Sequence, residues 1–362
     1  MKRLRVAWIV NSPYRDLPAA VLLAGRLAES GVTSYLVPYN LRWGEVAALA
    51  PDLVVLDQLY RSNESLARAL TAVGIPFGVL DAEGGVMPSL EYFGSVLAQD
   101  SAVRAQAKFY CSWGPVVADH AVRAGWYRPD QVRVTGTPRS DFYASDWRRR
   151  AQQLAPESGR FGEGIILLNG NYPLANPISV TQRGAVRRYA AYFGGEPEQW
   201  YTDQRHQRRA LVEFARLANQ LARRFPKRTF VYRPHPNERA ESYREQGLLE
   251  ALPNLHLVKS GTVESWILRA AAVIQRSCST AIEAGIAGVP ALAPAWIPRD
   301  AVAPVADEVS LGCRHFDELA GAIEAIEAGR FQMPAEIARR LEAITRDWFY
   351  RIDGQAHRRV AD

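Results

Sequence analysis

Residues 227–236, KRTFVYRPHP, close a short β-rich run on a histidine held between two prolines. Thr229 to Tyr232 reads as a buried strand, and Arg233, His235 and Asn237 then stand where that strand would leave the edge of a sheet. Open α/β sheets bind ligands at the carboxyl ends of their strands. The prolines fix φ and keep the preceding residues extended, so the backbone aims the imidazole. A histidine beside an arginine suits a phosphate-bearing ligand. A strand-end turn with a surface histidine is the alternative for this segment by itself.

Working outward, GIILLNGNY (164–172), LHLVKS (255–260), AAVIQRS (271–277) and VPALAP (289–294) read as further strands. Between them lies a helix over Ala210 to Phe225, with Leu211, Phe214, Ala215, Ala218, Leu221, Ala222 and Phe225 on one face. The first 150 residues show the same alternation. RVAWIVN, SYLVPY, DLVVLD, PFGVLDAEGG, AKFYCSWG and QVRVTGTPRSD read as strands, with helical segments such as SLARALTAVG between them. Strands alternating with helices argue for a parallel, doubly wound sheet. The chain is therefore expected to be α/β, with two Rossmann-like domains facing a cleft. The first would span residues 1–150 and the second 160–333, with polar residues 147–163 as linker or peripheral helix. A C-terminal helix within 334–362 has no strand after it and is expected to cross back to the first domain.

The whole chain excludes several classes. At 362 residues it exceeds one typical core. The apolar run Val6 to Val10 is too short for a secretory signal and reads as a first strand, so a cytoplasmic protein is expected. Cys111, Cys278 and Cys313 form neither a disulfide framework nor a zinc spacing, and no structural metal is expected. The net charge of +6 favours an anionic partner. Nucleic acid is not expected, because no recognition pattern accompanies the charge.

Four further strand exits carry chemistry. In AAVIQRSCSTAIEAGIAGVP (271–290) a strand runs into Ser277, Ser279 and Thr280 at the start of a helix. Hydroxyls and unpaired N–H groups at such a terminus bind phosphate, and Glu283, one turn in, suits ribose hydroxyls. An N-cap on a tightly packed helix is the plainer alternative. Asp81-Ala82-Glu83-Gly84-Gly85 ends a strand with two carboxylates on a turn that glycine permits. Such a carboxylate is placed for base or nucleophile work, or is simply solvated. VRVTGTPRSD (132–141) presents Arg139 and Asp141, which could equally pair with each other. LLNGNYPLANP (167–177) offers Asn169 and Asn171 to sugar hydroxyls, although Asn-Gly is also an ordinary turn.

The order of these segments, DAEGG, CSWG, VTGTPRSD, LLNGNYPLANP, YRPHPNE and SCSTAIEAGIAGVP, resembles bacterial surface-carbohydrate biosynthesis proteins related to the GT-B β-Kdo transferases and HP-motif sialyltransferases. The resemblance covers residues 80–295. It implies a GT-B-like fold and a metal-independent glycosyltransferase that moves Kdo from a CMP-activated donor to a surface-polysaccharide glycan, with retention and no other cofactor. By that resemblance His235 and Pro236, with Arg233, would contact the donor, Ser277, Ser279 and Thr280 its phosphate, and Glu283 its ribose. Asp141 would be the nucleophile and Glu83 would serve the acceptor hydroxyl. Gly84, Arg139, Asn169 and Asn171 would line the sugar and acceptor side, with Arg139 or Arg233 forking onto the donor carboxylate. Thr137-Pro138-Arg139 stands where the family often has NPR, and Ala82 replaces a second acidic residue.

Three other readings compete. They are a CDP-glycerol-type glycerophosphotransferase, an inverting sialyltransferase-like enzyme with Glu83 as base, and a non-catalytic nucleotide-sugar-binding subunit. The C-terminal segment sets Arg339, Arg340, Arg346 and Arg351 near Trp348, Phe349 and Tyr350. That pattern fits either a helix packed across both domains or peripheral contact with an inner membrane bearing a lipid-linked acceptor.

Overall fold

A computed structural model describes residues 3–83, 87–178, 181–299 and 304–362. The chain forms two compact units, one of residues 1–147 with 344–362 and one of residues 148–343. The first carries a parallel sheet of β1 (Arg5–Val10), β2 (Thr33–Pro38), β3 (Leu53–Leu56), β4 (Phe77–Leu80), β5 (Tyr110–Ser112) and β6 (Val132–Val134), in the order β2-β1-β3-β4-β5-β6. The second carries β7 (Ile165–Asn169), β8 (Phe230–Arg233), β9 (Leu255–Leu257), β10 (Ala270–Gln275), β11 (Ala291–Pro294) and β12 (Leu311–Cys313). Its strands are also parallel, in the order β12-β11-β10-β7-β8-β9.

Parallel strands need crossover helices, which cover both faces of the sheet. The continuous apolar runs follow from that: Ile165 to Leu168 and Phe230 to Tyr232 are all buried. The Pro197–Arg224 helix packs Leu211, Phe214, Ala218 and Leu221 onto the second sheet, the face read from sequence. It begins thirteen residues before the expected start at Ala210, because its polar early turns carry no apolar stripe. Residues 145–161 form the Ser145–Gln153 helix and a short 3₁₀ turn rather than a loose linker, with Ala151 and Ala155 fully buried.

Strand order decides where ligands sit. In each sheet the chain steps outward from one strand and then returns to start on its other side, and the crevice at that reversal is the usual binding place. In the first unit the reversal lies between β1 and β3, and in the second between β7 and β10.

The returning C-terminal segment starts at Ile344, not at Pro334. The Ala335–Ile344 helix stays with the second unit up to Ala343, and there Arg340 pairs with Glu308 and Leu341 packs against Gly285. Beyond it, Phe349 is buried against Trp113, and Arg359 donates to the Thr135 carbonyl at 2.7 Å. A Cβ on Gly114 would lie 2.4 Å from the Asp347 carbonyl oxygen and 2.5 Å from the Trp348 carbonyl carbon. The glycine of CSWG is therefore required by packing. Gly114→Ala is expected to lower stability by about 1–3 kcal/mol, read from urea unfolding, through forced displacement of that backbone. An unchanged midpoint would refute this account of the glycine.

Candidate functional site

Three strand exits of the second unit converge at its β7/β10 reversal. Asn169, the last residue of β7, donates from Nδ2 to Thr280 Oγ1 at 3.0 Å, and Asn171 donates to the Ser277 carbonyl at 2.7 Å. These amides hold the loop after β10. The expectation that they face sugar hydroxyls is corrected, since their donors point within the protein. Ser277 adopts φ of +56°, a left-handed conformation that non-glycine residues rarely take without a local reason. Half-buried Ser279 and Thr280 follow at the start of the Thr280–Ala287 helix, with buried Glu283 in its first turn. Gln275 steadies the loop from below, accepting from Cys278 N at 2.8 Å and donating to Ser310 at 3.0 Å.

The loop after β8 is tied to the loop after β7. His235 Nδ1 accepts the Asn237 N–H at 3.1 Å, which leaves the ring proton on Nε2 as a donor. Pro236 is exposed beside it. Glu238, fully buried, accepts the His235 N–H and the Tyr172 N–H on Oε1, both at 2.9 Å, and the Tyr243 hydroxyl on Oε2 at 2.5 Å. One carboxylate thus ties the loops after β7 and β8 together. Burial pushes its pKa up, opposed by the Tyr243, Tyr172 and His235 donors.

Arg233 is not a substrate fork. Only 8% exposed, it donates to the Ser260 and Gly261 carbonyls at 2.5 and 2.9 Å and lies over the Trp266 ring. Its role is to close the edge of the sheet, which corrects its expected place in the donor site. Arg276 is likewise buried, bonded to the Ile297 carbonyl and Asp307 at 2.6 Å each. A cavity of about 100 Å³ opens here, lined among others by Asn171, Tyr172, Gln207, Arg276, Ser277 and Arg299.

The first unit has its own cavity of about 50 Å³ at the β1/β3 reversal, walled by Trp8, Val10, Ala20, Leu56 and Leu80. Arg15, Asp16, Asp57, Asp81 and Arg139 reach it. Arg15 forks onto Asp16 at 2.6 and 3.1 Å and reaches Glu83 at 2.5 Å. Glu83 is thus ion-paired at the mouth of β4, while Gly84 lies outside the described residues. Asp81 accepts the Glu83 N–H at 2.9 Å, and its carbonyl accepts from Trp113. Arg139 is half-buried and lies over the Trp113 ring. Asp57, following β3, is 4% exposed. Asn63 donates to its Oδ1 at 3.0 Å, while its Oδ2 has no partner among the described residues.

Asp141 corrects the expectation most sharply. It is completely buried, and its two oxygens accept the Ala356 N–H at 2.9 Å, the His357 N–H at 2.8 Å and a contact from His357 Nδ1 at 2.8 Å. A carboxylate so enclosed docks the C-terminal segment and does not attack a sugar. The aromatic and basic residues of that segment are also engaged: Phe349 is buried, Arg346 pairs with Asp347, and Arg351 lies over Tyr350. Among the described residues no helix is long and apolar enough to cross a membrane.

Sequence reasoning passed over Arg15, Asp57 and Glu238. Asp57 was findable, since it ends DLVVLD as Asp81 ends PFGVLD. Glu238 offered no signal, because its partners are mostly backbone amides brought in by folding.

No protein-family model matches the chain, and no curated protein matches it. Solved structures do share its fold. The UDP-GlcNAc 2-epimerase of Neisseria meningitidis, bound to UDP-GlcNAc, is 14% identical with a TM-score of 0.55, over 99% of this chain and 98% of that one. The Methanocaldococcus jannaschii UDP-GlcNAc 2-epimerase, in complex with UDP-GlcNAc and UDP, is 10% identical with a TM-score of 0.57, over 95% and 99%. The wall teichoic acid polymerase TagF is 10% identical with a TM-score of 0.61, over 99% and 88%. At such identities the likeness establishes the fold: α/β and GT-B-like, with two Rossmann-like units. The expected Kdo transfer from a CMP donor is corrected by these findings, since the similar structures are UDP-GlcNAc 2-epimerases and a wall teichoic acid polymerase.

Proposed function

We propose that this chain is an enzyme of surface-carbohydrate biosynthesis that acts on a nucleoside-diphosphate sugar. UDP-sugars are the substrate class and epimerisation of the sugar is the reaction class. The observation that carries the reading is that His235, past the end of β8, and Ser277, Ser279 and Thr280, past the end of β10, flank the exit of β7 beside the β7/β10 reversal. A diphosphate offers only acceptor oxygens. Backbone N–H groups, hydroxyls and the His235 Nε2–H offer the matching donors, and the helix dipole adds to them. Glu283, buried one turn in, would accept from ribose hydroxyls in this reading. The UDP and UDP-GlcNAc bound in the similar structures support the nucleotide class.

Isothermal calorimetry with UDP, UDP-GlcNAc, CMP and CMP-Kdo tests this. UDP and UDP-GlcNAc are expected to bind, with the CMP compounds far weaker. His235→Ala is expected to weaken UDP by about 1.5–3 kcal/mol, roughly ten- to a hundredfold, the worth of a hydrogen bond to a charged group. Binding of CMP-Kdo without UDP-GlcNAc would sink the reading.

A further inference from the structure

The second unit holds a group of arginines that folding leaves without carboxylate partners. Residues 181–210 carry six arginines against three acidic residues, Glu196, Glu198 and Asp203. They form the Gln182–Phe193 helix and the first half of the Pro197–Arg224 helix, joined across Gly194 to Glu196. Ala185 and Val186 are buried, with Tyr189 and Trp200 packed on them, so the pair closes on an apolar seam of its own. Gln204 donates to the Gln182 carbonyl at 3.0 Å, which sets the start of the first helix beside residue 204 of the second. Arg183, Arg187 and Arg188 are exposed on the first helix, away from that seam, and Arg205 and Arg209 are exposed on the second, with Arg208 half-buried.

Pairing sets these residues apart from the rest of the same helix. Further along it, Arg216 pairs with Glu213, Arg223 with Glu250 and Arg224 with Glu324. Arg205 and Arg208 meet only the neutral oxygens of Thr202 and Gln246. Arg183, Arg187, Arg188 and Arg209 have no hydrogen-bond or ion-pair partner among the described residues. Like charges gathered in this way repel one another, and a negative surface relieves that repulsion.

We propose that this helical pair docks on an anionic lipid surface, a phospholipid bilayer whose headgroups carry net negative charge. The arrangement favours a bilayer over one bound phosphate or a soluble polyanion. The side chains are long and unheld, whereas recognition of a single phosphate needs a guanidinium fork fixed in place. None of the six lines the cavity of this unit, which takes Asp203, His206 and Gln207 from the same stretch. A charged plane needs no fixed geometry, and each basic side chain within a Debye length of it adds roughly fivefold to binding. Ile178, 47% exposed, precedes the pair and offers an apolar residue to the interface. The docking does not depend on the nucleotide-sugar reading of the neighbouring loops.

Co-sedimentation of the full chain with vesicles tests this. Vesicles of phosphatidylcholine mixed with phosphatidylglycerol are expected to carry the protein down, and pure phosphatidylcholine vesicles to leave it in solution. Raising salt from about 0.1 M to about 1 M shortens the Debye length from roughly 10 Å to roughly 3 Å and is expected to release it. Arg187→Gln/Arg188→Gln/Arg209→Gln removes three charges without breaking a contact and is expected to weaken binding about a hundredfold. Arg223→Gln/Arg224→Gln/Arg228→Gln removes the same charge from about 20 Å further along the chain, two Debye lengths away, and is expected to shift binding less than about threefold. Equal losses in the two variants would mean that net charge alone drives binding, and would overturn the proposal. So would no binding to the anionic vesicles, or equal binding to the neutral ones. Retention on heparin with no sedimentation would assign the surface to a soluble polyanion instead.

Discussion

Asp141→Ala is expected to destabilise the first unit by about 3–5 kcal/mol, as removal of one partner from a buried pair does. The variant leaves the Ala356 and His357 amides without acceptors where the wild-type carboxylate is wholly buried, and it strips His357 of its ring partner. Each orphaned buried donor costs about 1–3 kcal/mol. The loss falls on one segment. The Ala356–Ala361 helix is otherwise fastened by Arg359 on the Thr135 carbonyl, while the preceding turn is held by Trp147 on the Gly354 carbonyl at 3.1 Å. Hydrogen exchange should therefore quicken first at amides 356–361 and then spread to β6. Asp141→Asn keeps one acceptor oxygen and should lose roughly half as much stability. If Asp141 instead acted as a nucleophile, Asp141→Ala would abolish turnover and leave exchange at 356–361 unchanged. That pattern would refute the docking role.

The same residue marks the limit of what the sequence discloses. GIILLNGNY told correctly where a strand ends, because a buried parallel strand is apolar along its length and polar just past it. The same rule sets Ser277, Ser279 and Thr280 past the end of β10 and His235 past the end of β8, where the structure has them. It says nothing of which way a strand-end side chain turns. Asp141 turns inward to a helix that lies more than 200 residues later, and Arg233 folds onto the carbonyls of Ser260 and Gly261. Such partners are set by loop packing, not by periodicity. Substrate identity was less legible still. Phosphate-binding termini look alike for one phosphate or two, so an HP pair and a serine-rich loop do not separate CMP from UDP.

Glu238→Ala is expected to weaken UDP binding at least tenfold and to lower the unfolding midpoint, although Glu238 touches no ligand in the proposed site. Its carboxylate fixes the His235 backbone and, on the same oxygen, the Tyr172 backbone. Without it the loops after β7 and β8 lose their common anchor, and the His235 donor no longer has one position to occupy. A misplacement of about 1 Å is enough to cost a large factor at such a site. Glu238→Gln separates positioning from mere stability. Its amide oxygen can still accept both backbone N–H groups, and the Tyr243 hydroxyl can rotate to meet the new N–H. UDP affinity should then return to near wild type. The pH dependence gives a further handle. Burial raises the Glu238 pKa in the folded protein, so the native state binds the extra proton between the unfolded value of about 4.5 and that raised value. Stability from this group is therefore full below about pH 4.5 and declines as pH rises through the folded value. Glu238→Gln removes that slope. Chemical denaturation of both proteins across this window checks the sign, and a wild-type stability that climbs there relative to Glu238→Gln would contradict a buried, proton-retaining Glu238.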